Sequence, residues 1–101
     1  MTANEIKQVL EDKFIDENCG FRKKDIKVNG NIIQIKDYEH IQFEIEWDDD
    51  DYFGRCCYIK ETYVGYDDSD VIVMEDSKHK TDDEILAHTL VLLGYYIASR
   101  F

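Results

Sequence analysis

Proline is absent from the 101-residue sequence, and glycine (five), cysteine (three) and methionine (two) are sparse. Without proline there is neither a polyproline recognition segment nor a Pro-rich linker. Cys19, Cys56 and Cys57 make an odd set with no framework spacing, which fits a reducing compartment better than a secreted one. Long apolar runs are missing too. The longest, Leu90–Ala98, is interrupted by Gly94 and is too short to span a bilayer. The opening residues Met1-Thr2-Ala3-Asn4-Glu5 have neither the basic nor the apolar region of a secretory signal. A cytoplasmic location is expected.

The scarcest commodity is positive charge. Twelve lysines and arginines face 23 aspartates and glutamates, for a net charge of −11. Direct binding to nucleic acid or to an anionic membrane needs a basic surface, so both are disfavoured. A basic partner, met through fast and salt-sensitive association, is favoured instead.

What the chain does have is enough to fold. Apolar residues make up 44% and aromatics 13%, which argues against disorder despite 35% charged residues. Residues 1–101 read as one domain with one modest core.

Thr2-Ala3-Asn4-Glu5 has capping-box spacing, and Ile6, Val9, Leu10 and Phe14 follow at helical intervals. A helix is expected from Ala3 to about Glu17, ending near Asn18-Cys19-Gly20. Asn29-Gly30 between β-rich runs predicts a hairpin with a type I′ turn, pairing Val28 with Asn31 and Ile26 with Ile33. Ile26, Val28, Ile33 and Ile35 then share a face. Ile41, Phe43, Ile45 and Trp47 alternate with Gln42, Glu44 and Glu46, a half-buried strand with an acidic outer side. Asp48–Asp51 reads as a turn, and Tyr52–Tyr63 as the return strand. With all four aspartates in the loop, Trp47 faces Tyr52 and Phe43 faces Cys56. A short fifth strand is expected at Val71–Met74. Thr81-Asp82-Asp83-Glu84 is a second capping box, opening a helix to about Arg100 that carries Ile85, Leu86, Thr89, Leu92, Leu93, Tyr96 and Ile97. The fold class is therefore α+β. It is an antiparallel sheet of four to five strands with an N-terminal and a C-terminal helix packed on one face, the other face being largely acidic.

Catalytic and metal-binding patterns fail one by one. A calcium loop needs glycine at its sixth position, but counting from Asp48 that place holds Phe53, and from Asp67 it holds Ile72. Cys56 and Cys57 are adjacent and point to opposite sides of a strand, while His40, His79 and His88 show no zinc-ligand spacing. Neither a phosphate-binding glycine loop nor a nucleophile–base arrangement is present. A run of four aspartates is solvated, not the protonated carboxyl of a glycosidase. No enzyme, metal or cofactor is expected. Arg22, Lys23, Lys24 and Lys27 form the one basic patch, a solvated edge that also discourages aggregation.

The acids are unevenly placed. From Asp37 to Asp76 there are 14 acids (Asp37, Glu39, Glu44, Glu46, Asp48, Asp49, Asp50, Asp51, Glu61, Asp67, Asp68, Asp70, Glu75 and Asp76) against Arg55 and Lys60. The rest of the chain is near neutral. Such crowding costs stability through self-repulsion, which invites a functional explanation, although acidic surfaces also serve solubility alone. Interleaved aromatics, Tyr38, Trp47, Tyr52, Phe53, Tyr58, Tyr63 and Tyr66, supply core residues and interface anchors.

In size, in the segment Asp37–Asp76, in the run Glu44-Ile45-Glu46-Trp47-Asp48-Asp49-Asp50-Asp51 and in its helix–sheet–helix order, the chain resembles small acidic phage-encoded inhibitors, such as anti-CRISPR proteins and uracil-DNA glycosylase inhibitors. The likeness is one of class, with no diagnostic motif. It implies a stoichiometric, non-enzymatic inhibitor acting inside a bacterial host cell. Such an inhibitor would occupy the basic DNA-binding groove of a nuclease, a CRISPR effector foremost, and block DNA binding or cleavage. The expected partner-binding residues are Glu44, Glu46, Asp48, Asp49, Asp50, Asp51, Tyr52, Asp67, Asp68 and Asp70. Reversing Asp49 and Asp50 to lysine should weaken binding with the fold intact. An immunity protein for a nuclease toxin would use the same electrostatics. A phage or secretion assembly or chaperone module, dimerising through the apolar helix around Leu90–Tyr96, is the rival from another class. Monomer and homodimer both remain open.

Overall fold

Both helices begin where a threonine cap can close. Glu5 N donates to Thr2 Oγ1 at 3.2 Å while Thr2 N donates to the Glu5 carboxylate at 3.3 Å. The same reciprocal pair joins Thr81 and Glu84, at 3.3 and 3.5 Å. Satisfying these free amides fixes the first turns of α1 (Ala3–Asp16) and α2 (Asp82–Arg100). The computed structural model describes residues 1–16, 26–52, 54–66, 68–76 and 81–100, with the backbone alone at 13–16, 50, 76, 98 and 100. The expected end of α1 at Asn18-Cys19-Gly20 and the bases Arg22, Lys23 and Lys24 lie outside these residues.

Between the helices run β1 (Ile26–Asn29), β2 (Ile32–Ile35), β3 (Ile41–Asp50), β4 (Gly54–Tyr63) and β5 (Ser69–Asp76). Each strand pairs antiparallel with its neighbour in sequence, giving the order β1-β2-β3-β4-β5. Both helices pack against this sheet and against each other, making the expected α+β arrangement.

Alternation along the strands decides which face is covered. Ile26, Ile33, Ile35, Ile41, Phe43, Ile45, Cys57, Ile59 and Val73 are buried and form one cluster with Ile6, Leu10, Ile85, Leu86, Leu90, Leu93 and Ile97 from the helices. On α2 the buried stripe takes Leu90 in place of the expected Leu92, which lies at the margin and is partly exposed. With 100° per residue, buried Leu86 widens the stripe set by Ile85, Thr89, Leu93 and Ile97 on the side of Leu90, which then falls nearer its middle than Leu92 does.

Two expected registers are corrected. In the first hairpin Val28 pairs with Ile33 and Ile26 with Ile35, so Gly30-Asn31 occupies the turn rather than Asn29-Gly30. Gly30 takes φ 62° and Asn31 does not take positive φ, the pattern of a turn with glycine at its first central position. Asn31 is held by β3: its carbonyl accepts from Ile45 N at 2.8 Å, and its side-chain amide donates to the Ile45 carbonyl at 3.2 Å. The shift is two residues, an even number, so Ile26, Val28, Ile33 and Ile35 still share a face.

The second correction changes the faces. Phe43 pairs with Glu61 and Trp47 with Cys57, not with Cys56 and Tyr52. Asp48, Asp49 and Asp50 continue β3, the turn falls at Asp51-Tyr52, and Gly54 closes it with φ 77°. This displacement is five residues. Being odd, it exchanges the sides of β4, turning Cys57, Ile59, Glu61 and Tyr63 towards the helices. The fifth strand is also longer than expected at both ends.

Candidate functional site: the acidic sheet and its two ends

The outward side of β3 carries Glu44, Glu46 and Asp48 in one column. Alternate residues of a strand sit about 6.7 Å apart on one side, so the column holds half the axial charge density of a single DNA strand. Glu44 and Glu46 are half-buried and Asp48 is exposed. The ion pairs among the described residues are Met1–Asp83, Lys7–Glu11, Arg55–Asp49 and Arg55–Asp82, so none draws on the column. Lys60 stands across from Glu44 in the register, but its ammonium is drawn over the Tyr58 ring, 5.8 Å from the centroid.

The face as a whole is not the acidic plate expected from the strand pattern. Gln42 continues the column on β3, Ile32 and Gln34 of β2 flank it on one side, and Tyr58 of β4 with Val71 and Met74 of β5 lie on the other. Among the described side chains of the strands, acid on this face is confined to β3, because the odd register shift takes Glu61 to the opposite side.

The ten expected partner-binding residues do not form one patch. Glu44, Glu46 and Asp48 share the outward side of β3, and Asp51 and Tyr52 extend from its end at the hairpin tip, Tyr52 being 87% exposed. Asp68 and Asp70 are exposed near the other end of β4. Asp70 lies opposite Glu61, on the helix side of the sheet rather than the column's side and roughly 23 Å from the hairpin tip at strand rise. The backbone of Asp50 continues β3 with its side chain undescribed, and Asp67 lies outside the described residues.

Asp49 points to the helix side and is paired with Arg55. Arg55 Nη1 reaches its carboxylate at 3.2 Å, and Arg55 Nε meets Asp82 at 3.4 Å. The guanidinium lies over the Trp47 ring, 4.7 Å from the centroid. Partial loss of hydration opposes its charge, but Asp49 and Asp82 outweigh that and raise its pKa above the ordinary arginine value. This clasp ties the hairpin to the first turn of α2. Lysine at position 49 would set two cations together, so reversal there would disturb the fold as well as any binding.

At the far end Glu61, 4% exposed, accepts hydrogen bonds from Tyr63 Oη at 2.8 Å and from Tyr96 Oη. Its neighbourhood opens into a hollow of about 440 Å³ lined by Glu61, Tyr63, Tyr66, Asp68 and Asp70. Sequence reasoning counted Glu61 among the surface acids. The available signal was Gly54, a turn residue that sets the β4 register and hence the inward side of position 61.

Cys57 is buried on the same side. Burial pushes its thiol pKa up, against the smaller opposing influences of a Thr89 hydrogen bond and of Arg55. A raised folded pKa makes stability level below the unfolded value of about 8.5 and lets it fall as pH rises towards the folded value. Between pH 7 and pH 9.5, the urea midpoint should drop further for the wild-type chain than for Cys57→Ala. Equal drops would show that the thiol does not ionise on unfolding.

Among the described residues no group of three His, Cys, Asp or Glu side chains is placed to hold a metal ion. No helix there is long and apolar enough to cross a membrane. No known protein family matches the chain, and no characterised protein or solved structure matches it either.

Proposed function

We propose that the chain is a non-enzymatic inhibitor that engages a basic protein groove through the β3 acids and the adjoining hairpin tip. The observation that carries this reading is the column Glu44, Glu46 and Asp48, outward on one strand and in no ion pair among the described residues. Grooves that collect lysine and arginine to hold DNA phosphates are attracted by such a line of charge. The target class is therefore a bacterial nucleic-acid-handling enzyme, with a CRISPR nuclease favoured and a toxin nuclease as the alternative, met in the cytoplasm. Asp51 and Tyr52 complete the surface; Asp68 and Asp70 belong to its far end.

The test is retention of proteins from a bacterial lysate on the immobilised chain at low and high salt. A DNA-handling enzyme held at low salt and released by added duplex DNA is the expected result. A partner indifferent to both salt and DNA overturns the proposal. Val91, Leu92 and Tyr95 are exposed on α2, which favours an assembly module joined through that helix as the second reading. Retention of the chain itself, unaffected by salt, would support that reading instead, because apolar contacts are not screened.

A further inference from the structure

The sheet ends in two unlike edges. β1 is four residues long and includes Lys27, a short charged edge of the kind that resists pairing. β5 is twice that length, Ser69–Asp76, and reads Ser-Asp-Val-Ile-Val-Met-Glu-Asp with neither lysine nor proline. Among the described residues no strand pairs with its outer edge. Val71 and Met74 are 51% and 61% exposed on the uncovered face, beside Lys60 and Tyr58 of β4. Among the described residues its protective devices are the acids Asp70 and Glu75 near its ends and a bulge. Ile59 pairs with Val73 and Lys60 with Val71, so Ile72 is an extra residue.

An edge of this kind is a template for another strand, since every second residue turns its N–H and C=O outward. Charge decides which strand. In an antiparallel pair of two β5 copies centred on Ile72 and Val73, Asp70 of each would lie opposite Glu75 of the other, and like charges directly opposite are unfavourable. Asp68 and Asp70 bound one end of the edge, on a chain of net charge −11. An incoming strand with lysine or arginine at its ends and β-branched residues at its centre meets acid at the ends and Val71 and Met74 in the middle.

We propose that β5 is a docking edge that takes an extended, basic-flanked segment of a protein partner as a sixth strand. The segment's central side chains lie beside Val71 and Met74 on the open face. This rests on the reading of the chain as a binder of basic proteins and adds where the backbone of such a partner is held. Strand addition supplies main-chain hydrogen bonds, which the acid column on β3 cannot provide.

The probe is a synthetic peptide, Lys-Lys-Thr-Val-Thr-Val-Thr-Lys-Lys, titrated into the full chain and followed by amide NMR and hydrogen exchange. Shifts and slowed exchange should concentrate in residues 70–75. The same peptide N-methylated at alternate central residues keeps its charge and loses its strand donors, and should bind at least tenfold more weakly. Val71→Thr with Met74→Thr, both at exposed positions, should weaken the unmodified peptide by a similar factor while leaving the spectrum dispersed. Equal binding of the N-methylated peptide, no binding at millimolar peptide, or shifts centred on Glu44, Glu46 and Asp48 would each overturn the edge proposal. If the Val71→Thr, Met74→Thr chain still captures a salt-sensitive partner from lysate at full strength, the edge proposal fails and the acid-column reading survives. Loss of all salt-sensitive capture by the wild-type chain is the separate result that removes that reading.

Discussion

Phe43→Ala is expected to lower the unfolding free energy by about 3–5 kcal/mol, the range for emptying a fully buried phenylalanine site. Phe43 is 1% exposed on the central strand of the sheet and meets the Tyr96 ring edge-on at 6.4 Å between centroids. The loss combines transfer of the ring to water with a cavity that β-sheet neighbours cannot close by sliding. Whole domains hold about 5–15 kcal/mol, so the loss is a large fraction of the total and should move the urea midpoint well down. Phe43→Leu leaves most of the volume filled and should cost much less, of the order of 1 kcal/mol. Urea titration followed by circular dichroism measures both. A Phe43→Ala loss under 1.5 kcal/mol would mean that the site collapses, and that the contact with α2 at Tyr96 is slack.

The second large effect concerns binding. Reversal of Glu44, Glu46 and Asp48 together to lysine should weaken the partner complex by at least about a hundredfold near 0.1 M salt, since like charges set against a basic groove cost several kcal/mol. The side chains face outward and take part in no ion pair among the described residues, so the thermal midpoint should fall only by the modest cost of a cation at position 44 opposite Lys60. Reversal of Asp68 and Asp70, which meet only one basic end of a partner segment at the β5 edge, provides the comparison, with a smaller change expected. Titration calorimetry at two salt concentrations reads both, and the salt dependence should flatten in the triple variant as phosphate-like contacts are lost. If the Asp68, Asp70 variant loses more affinity than the β3 variant, the partner sits at the far end and the column is a solvated surface.

Much of the fold was legible because its signals are local. Thr2 and Thr81 announce their helices through side chains three residues on, and the alternation from Ile41 to Trp47 marks β3 without reference to any neighbour. Register was harder. Asn29-Gly30 is a strong turn signal, yet the turn moved because Asn31 serves β3 as well, a contact between residues 14 apart in sequence. Four aspartates look like a loop because carboxylates prefer water. Three of them nevertheless continue the strand, where Asp49 finds Arg55 and Asp48 can face outward. The same misplacement concealed Glu61: from sequence it is one acid among many, and only the odd shift in β4 puts it against Tyr63 and Tyr96. The candidate site was legible as a composition and not as a surface. Fourteen acids in forty residues are divided by the strand pleat and by the length of β4 into an outward column, a clasped pair, a buried acceptor and a distant end.

The strand order itself has a kinetic consequence. Every β-strand pairs with the one next to it along the chain, so each hairpin closes a short loop before any distant contact is needed. Remote parts of the sequence are joined by the helices: Tyr96 of α2 reaches back to Glu61 and Phe43, and the meeting of α1 with α2 sets the Met1 ammonium 2.9 Å from Asp83. With no proline to isomerise, the slow tens-of-seconds phase common in refolding has no source here. The sheet can thus assemble progressively, and docking of the two helices becomes the step that commits the chain.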